Sequence, residues 1–274
     1  MPELPEVETI RRQLEPLLAG AEIVGADAHW STKFSPALEA AGTAITAIRR
    51  RGKYLLFDLD DGRELVAHLG MTGSFAVVDA AARPGDLCSD HDAYTRAVWQ
   101  LADGRQLVFR DVRRFGRLHV VEAGSYEGIA TLHRMGPEPL TEAFDGASLY
   151  AATRKSSRPI KTQLLSQRPV AGVGNIYADE ALFIARVNPR ARRVGRERCD
   201  ALAHAIKQVL EAGIANGGTT LRDYVDADGE AGRNQHELLA YGRSGEPCTR
   251  CGTELSSFVL DARTTTYCPV CQRQ

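Results

Sequence analysis

At 274 residues, 43% of them hydrophobic, the chain is too long for one comfortable small domain and can bury real cores, so two domains are expected. It holds no apolar run able to span a bilayer and opens on no basic stretch followed by an apolar leader, which argues against a membrane partner and for a soluble cytosolic protein. A formal net charge of -1 argues against a general nucleic-acid coat but leaves room for a local basic footprint.

In chain order, the first feature is Met1-Pro2-Glu3-Leu4-Pro5-Glu6. Once Met1 is removed, Pro2 carries a free secondary amine, and an α-amino group titrates near ~8, so a useful fraction is neutral and nucleophilic at pH 7. Such an amine can attack an electrophilic carbon and leave an iminium, the electron sink of Schiff-base chemistry. Glu3 follows it directly and Glu6 lies one helical turn further on, so a nucleophile and an acid/base pair share six residues. The same string also reads as an ordinary helix start, with Pro at an early helical position and Glu in the first turn. Val7, Ile10, Leu14 and Leu17 then mark one face of an amphipathic helix ending near Gly20.

From about Glu22 to Val121 the pattern is strand-like. Tyr54 to Leu59 turns at Asp60-Asp61-Gly62 into Leu65 to His68, and Ala97 to Leu101 turns at Ala102-Asp103-Gly104 into Gln106 to Arg110. Antiparallel hairpins of this kind pack as a sandwich or barrel. Gly136-Pro137-Glu138-Pro139 breaks the pattern, and a domain boundary is expected there. Beyond it nearly everything to Gly218 reads as helix, including a stripe of Leu202, Ile206, Val209, Leu210 and Ile214 stopped by Asn216-Gly217-Gly218. Basic residues bunch at Arg49 to Lys53, at Arg110 to Arg117 and at Arg190 to Arg198. Any one bunch reads as a solvated face; three in a near-neutral chain imply that acidic residues are segregated elsewhere.

Of six cysteines, Cys88 and Cys199 read as ordinary small residues, and without an export signal disulfides are not expected. The other four form Cys248-x2-Cys251, sixteen residues, then Cys268-x2-Cys271, the spacing of two knuckles around one tetrahedral Zn2+. Four sulfur ligands leave no open position, so the zinc is structural. Between the pairs, Arg263 to Tyr267 fits a hairpin arm stapled by the metal, and an exposed arginine on it suits a phosphate.

With these residues in view, the whole chain resembles the bacterial formamidopyrimidine-DNA glycosylases, which remove oxidised purines from duplex DNA. The resemblance rests on Met1 to Thr9, Gly52 to Leu56, His68 to Ser74, Arg113 to Gly116, Gly172 to Glu180, Tyr241 to Arg243 and the four-cysteine hairpin. It implies an α+β, bilobal protein: an N-terminal helix with an antiparallel β-sandwich (1–134), a helix-two-turn-helix region (135–238) and a zinc-finger β-hairpin (239–274). It further implies a monomer that binds double-stranded DNA and needs no nucleotide cofactor.

The resemblance also implies residue roles. Pro2 attacks C1′ of the damaged nucleotide, Glu3 donates a proton to the sugar, Glu6 supports proton movement and orientation, and Lys53 and Arg263 match the positions for phosphate contact and proton donation as elimination cleaves the 3′ and then the 5′ phosphate bond. Met71, Arg113 and Phe115 fill the gap left by the extruded base, an exchange that offsets part of an unstacking cost of a few kcal/mol. Asn175, opening a helix after Gly174, meets a phosphate at free N–H groups, and His91 and Lys161 match further DNA contacts. Thr219 to Tyr224 lies where the family carries a loop over the base. Two departures bear on fine contacts: Arg233-Asn234-Gln235 replaces an aromatic pair, and Lys155-Ser156-Ser157 is less basic than usual. The competing readings are an endonuclease VIII-like enzyme for oxidised pyrimidines, disfavoured by Leu4 and by Arg113-Arg114-Phe115, and a DNA-binding relative without activity, which has no use for Pro2, Glu3, Glu6 and Lys53 together.

Overall fold

A computed structural model describes residues 2–79 and 93–273. Two contact-defined units make up the chain, one of Met1–Ala130 with Gly217–Arg233 and the other of Thr131–Asn216 with Asn234–Gln274.

The first unit begins with helix α1 (Leu4–Leu18), which buries Val7, Ile10 and Leu14 as expected; Leu17 is instead 40% exposed, and Leu18, four residues after Leu14, completes the buried stripe. Two four-stranded antiparallel sheets follow. The first has the order β1 (Ile23–Ala28), β6 (Thr95–Leu101), β7 (Arg105–Asp111), β5 (Gly73–Asp79). The second runs β2 (Ile45–Arg51), β3 (Tyr54–Leu59), β4 (Arg63–His68), β8 (Arg117–Glu122). The expected hairpins are β3–β4, with Tyr54 opposite His68, and β6–β7. The sheets face one another across an aromatic core: Phe57 of β3 meets Phe75 of β5 at 5.5 Å between ring centroids, and Phe75 meets Phe109 at 4.8 Å. Alternate residues of the inner strands, Leu55, Phe57 and Leu59 of β3 and Ala97, Trp99 and Leu101 of β6 among them, join the α1 stripe in one cluster. Burying side chains of that size contributes on the order of 1.5–3 kcal/mol each.

The second unit holds α3 (Gly146–Thr153), α4 (Ile160–Leu165), α5 (Asn175–Ile184) and α6 (Arg196–Ala215), after a single turn, α2 (Ala130–His133), at its edge. Helix is less continuous than the sequence pattern suggests. Pro159, Pro169 and Pro189 lack an N–H to extend a helix and disfavour it in the residue before them, so the chain runs as loops over 154–159, 166–174 and 185–195. The longest apolar stripe is the one that forms the longest helix, α6. An antiparallel hairpin, β9 (Ser256–Leu260) with β10 (Arg263–Tyr267), closes the unit. Among the described residues no helix is long and apolar enough to cross a membrane.

Candidate active site and nucleic-acid interface

Pro2 is buried immediately ahead of α1, and Glu3 is the extended N-cap residue of that helix. Both carboxylates are withdrawn from solvent, Glu3 and Glu6 each being 2% exposed. The Glu3 N–H donates to Glu6 Oε2 at 2.8 Å, which answers one of the orphan donors of a helix start. Glu6 Oε1 accepts from the Thr219 N–H at 2.7 Å, 213 residues along the chain but in the same unit. The ordinary reading of the first six residues as a helix start is therefore true, and it is what fixes the orientation of Glu6.

The segment that reaches Glu6 is shaped for it. Gly218 has φ +89°, and a Cβ there would lie 2.9 Å from both Glu6 Cγ and the Tyr224 ring, so neither another backbone nor a side chain fits. The Tyr224 hydroxyl donates towards the Gly217 carbonyl at 3.2 Å. Burial, with the Glu6 and Asp226 charges nearby, pushes the Tyr224 phenol above its usual range, so it stays protonated. Gln13 of α1 adds a second tie, its amide donating to Asp226 at 2.9 Å and accepting from the Ala227 N–H at 3.0 Å. The family resemblance sets Thr219 to Tyr224 over a base; the bond of this segment to Glu6 has no local signature.

Lys53 lies in the two-residue turn between β2 and β3 and is 6% exposed. Its charge, with that of Arg117 and with burial as the first cause, lowers the neighbouring His68 imidazole to about 4, so His68 is neutral at pH 7. His68 Nδ1 accepts from the Gly70 N–H at 3.1 Å, and its ring rests on Tyr54 at 4.7 Å between centroids. That contact begins the loop carrying Met71.

Met71, Arg113 and Phe115 sit on two loops locked together by Asp111, itself 0% exposed. Asp111 Oδ1 accepts from Thr72 Oγ1 and Oδ2 from the Gly116 N–H, both at 2.6 Å, and Thr72 Oγ1 accepts in turn from the Arg113 N–H at 2.9 Å. A Cβ on Gly70 would come within 2.4 Å of the Phe115 carbonyl carbon, so the loops can approach this closely only with glycine there. Met71 is half-buried, while Phe115 is 48% exposed with the Arg113 guanidinium 5.0 Å over its ring. Phe115 is thus no core residue. His91 lies outside the described residues.

In the second unit Gly174 is the N-cap of α5 and Asn175 its first residue. The loop before it is cradled by Gln167, which accepts from the Gly172 N–H at 2.8 Å and donates to the Val173 carbonyl at 2.6 Å. Asn175 donates to the Thr264 carbonyl at 3.2 Å. Lys161, expected among the DNA contacts, is 0% exposed: its Nζ lies 2.6 Å from Asp179 Oδ1 and donates to Thr265 Oγ1 at 2.9 Å. Asp179 Oδ2 accepts from the Thr266 N–H at 3.0 Å. Burial pushes Asp179 up to about 6 even with the Lys161 charge opposing the shift. Next to it on α5, Glu180 accepts from the Leu239, Ala240 and Tyr241 N–H groups at 2.7–2.9 Å, tying down the segment before the hairpin. Arg263 is exposed just past the β9–β10 turn, where Asp261 and Ala262 both have positive φ (48° and 59°), as a two-residue I′ turn demands.

The sulfur atoms of Cys248, Cys251, Cys268 and Cys271 all lie within 4.8 Å of one another. Tetrahedral Zn–S bonds of about 2.3 Å place sulfurs about 3.8 Å apart, so the four cysteines are gathered closely enough to hold one zinc. The Cys271 N–H also points at Cys268 Sγ at 3.3 Å, the kind of amide contact that steadies a thiolate. The donor set is complete at four, and the ion is structural.

Comparison with known proteins covers nearly the whole chain. Residues 1–118 match the family model described as the formamidopyrimidine-DNA glycosylase N-terminal domain, 135–225 its H2TH domain, and 245–274 a zinc finger found in FPG and IleRS. The chain is 45% identical over 280 residues to a formamidopyrimidine-DNA glycosylase of Stenotrophomonas maltophilia, covering 100% of both. It is 41% identical over 285 residues to one of Deinococcus radiodurans, covering 99% of this chain and 97% of the relative. The crystal structure of the MutM (FPG) protein of Thermus thermophilus superposes with a TM-score of 0.88 at 45% identity, covering 99% of this chain and 98% of that one. Lactococcus lactis Fpg in complex with abasic-site DNA does so with a TM-score of 0.88 at 34% identity, covering 99% and 100%.

Proposed function

The chain belongs to the formamidopyrimidine-DNA glycosylase family, and from that premise we propose that it excises oxidised purines from duplex DNA and cuts the strand through one N-terminal nucleophile. It is a DNA glycosylase with AP lyase activity in base excision repair, it binds double-stranded DNA, and it carries one structural zinc. Its place of work is the cytosol, where bacterial DNA lies.

In this reading the Pro2 nitrogen, freed of Met1, forms a bond to C1′ as the bond from C1′ to the base breaks, and the proton that the amine sheds balances the one that the departing base takes up. Glu3 protonates the sugar ring oxygen as the ring opens, leaving an iminium. That cation acidifies C2′; loss of its proton expels the 3′ phosphate, and a further elimination expels the 5′ phosphate. Glu6 takes the orienting part, because its two oxygens already accept from the Glu3 and Thr219 N–H groups. Lys53, buried in its turn, and Arg263, exposed on the hairpin, are the proposed phosphate partners. Lys161 serves them indirectly by holding the hairpin that carries Arg263 and the Thr264 carbonyl to which Asn175 donates. Met71, Arg113 and Phe115 are the proposed gap-filling group; an aromatic ring left half in solvent beside a guanidinium is what such a wedge requires.

The observation that carries this proposal is the buried Pro2-Glu3-Glu6 group, in which a potential amine nucleophile adjoins one carboxylate and a second is fixed by two main-chain donors. Processed protein should nick duplexes bearing a single 8-oxoguanine faster than duplexes bearing an oxidised thymine. A preference for the oxidised thymine would move the protein to the pyrimidine-directed reading.

A further inference from the structure

The chain has two tryptophans in opposite settings. Trp99 is 0% exposed with its indole N–H donating to the Ala37 carbonyl at 2.9 Å, whereas Trp30 is 86% exposed. A lone exposed apolar residue needs no explanation, but Trp30 does not stand on a loose loop. Its ring stacks on His29 at 5.3 Å between centroids with 27° between planes, and His29 meets the fully buried Phe34 edge-on at 6.3 Å. The His29 N–H donates to the Arg96 carbonyl at 2.9 Å and the Phe34 N–H to the Ser31 carbonyl at 2.8 Å. The indole is thus held outward on a platform rooted in the core of the sandwich.

That platform is stitched to the loop of Arg113 and Phe115. Lys33 Nζ donates to the Arg114 carbonyl at 2.7 Å, and the Leu118 N–H donates to the Lys33 carbonyl at 2.9 Å. Arg114 is near enough that its charge, after burial, lowers the His29 imidazole. Residues 29–34 and 112–118 contain no acidic side chain, while Lys33, Arg113, Arg114 and Arg117 supply four cations. A rigid aromatic face beside cations, continuous with a loop assigned to DNA, suits a nucleic acid, whose phosphates want the charges and whose sugars and bases want the ring. A protein partner would more naturally meet a contiguous apolar patch.

We propose that Trp30 is a DNA contact: the indole packs on the duplex beside the lesion and extends the footprint of Arg113 and Phe115, with Lys33, Arg114 and Arg117 taking the adjoining phosphates. This rests on the glycosylase reading of the same surface.

Fluorescence separates the two tryptophans, because acrylamide reaches exposed Trp30 and not buried Trp99. The probe is a short duplex with an uncleavable abasic-site analogue, and binding is followed independently by anisotropy of a label on the duplex. In the complex, the quenchable part of the emission should be protected. The Trp30→Ala variant should bind about tenfold more weakly, the scale of one stacking contact, and Trp30→Phe should recover most of that. Trp99 emission reports that each variant is folded. If Trp30 remains as quenchable in the complex as in the free protein, or if Trp30→Ala binds within twofold of the parent, the inference is overturned while the glycosylase reading stands. If the unaltered protein does not bind the duplex, the glycosylase reading fails and takes this inference with it.

Discussion

Glu6 in the first unit and Asp179 in the second are both buried carboxylates that hold distant chain segments, and they do so by opposite means. Glu6 accepts main-chain N–H bonds from Glu3 and Thr219, whereas Asp179 pairs at 2.6 Å with the Lys161 ammonium and accepts one N–H from Thr266. Amide donors orient a carboxylate without adding a full counter-charge of their own; a lysine neutralises it. The first device also holds a joint at Glu180, which accepts three main-chain N–H groups; at Glu6 it is compatible with the proposed place beside the reacting atoms. Burial raises Asp179 to about 6 with the Lys161 charge opposing the shift.

The comparison breaks most visibly at the joint. Lys161→Met leaves Asp179 buried without its cation, and the loss should be about 3–5 kcal/mol in chemical denaturation, with much of it returned by the Lys161→Met, Asp179→Leu double variant. A single variant within about 1 kcal/mol of the parent would show that the pair is no joint. The smaller effect on stability, and the sharper contrast, belongs to the other carboxylate. Glu6→Gln turns one acceptor into a donor facing an N–H and should cost about 1–3 kcal/mol. Its single-turnover rate should nevertheless fall by roughly 10²-fold, the scale of one misplaced acid/base group, with DNA affinity nearly unchanged. Unchanged turnover together with a large drop in stability would make Glu6 a joint like Asp179.

What can be read in the sequence divides along the same line. Helix α1, the β3–β4 and β6–β7 hairpins and α6 carry their pattern in neighbouring residues: apolar spacing, Asp-Gly turns and a Gly-Gly stop. The four cysteines are legible because a metal site announces itself by spacing alone. The bond from Thr219 to Glu6 spans 213 residues, and the hydrogen bond from Lys161 to Thr265 spans 104, so neither leaves a local trace. The family resemblance sets Lys161 among the DNA contacts, whereas the structure buries it against Asp179, which no periodicity links to it. The pattern between Gly136 and Gly218 overstates the helix because apolar residues there serve loops held by Gln167 as well as helices. Trp30 gives no signal at all, since exposure is a property of the fold.

The central claim is that the secondary amine of Pro2, beside Glu3 and the fixed Glu6, makes the covalent bond to the sugar. The direct measurement is borohydride reduction during turnover on an 8-oxoguanine duplex, with protein verified to begin at Pro2, followed by peptide mass spectrometry of the trapped complex. The adduct should map to the Pro2 nitrogen. An adduct on a lysine, Lys53 included, would contradict the account.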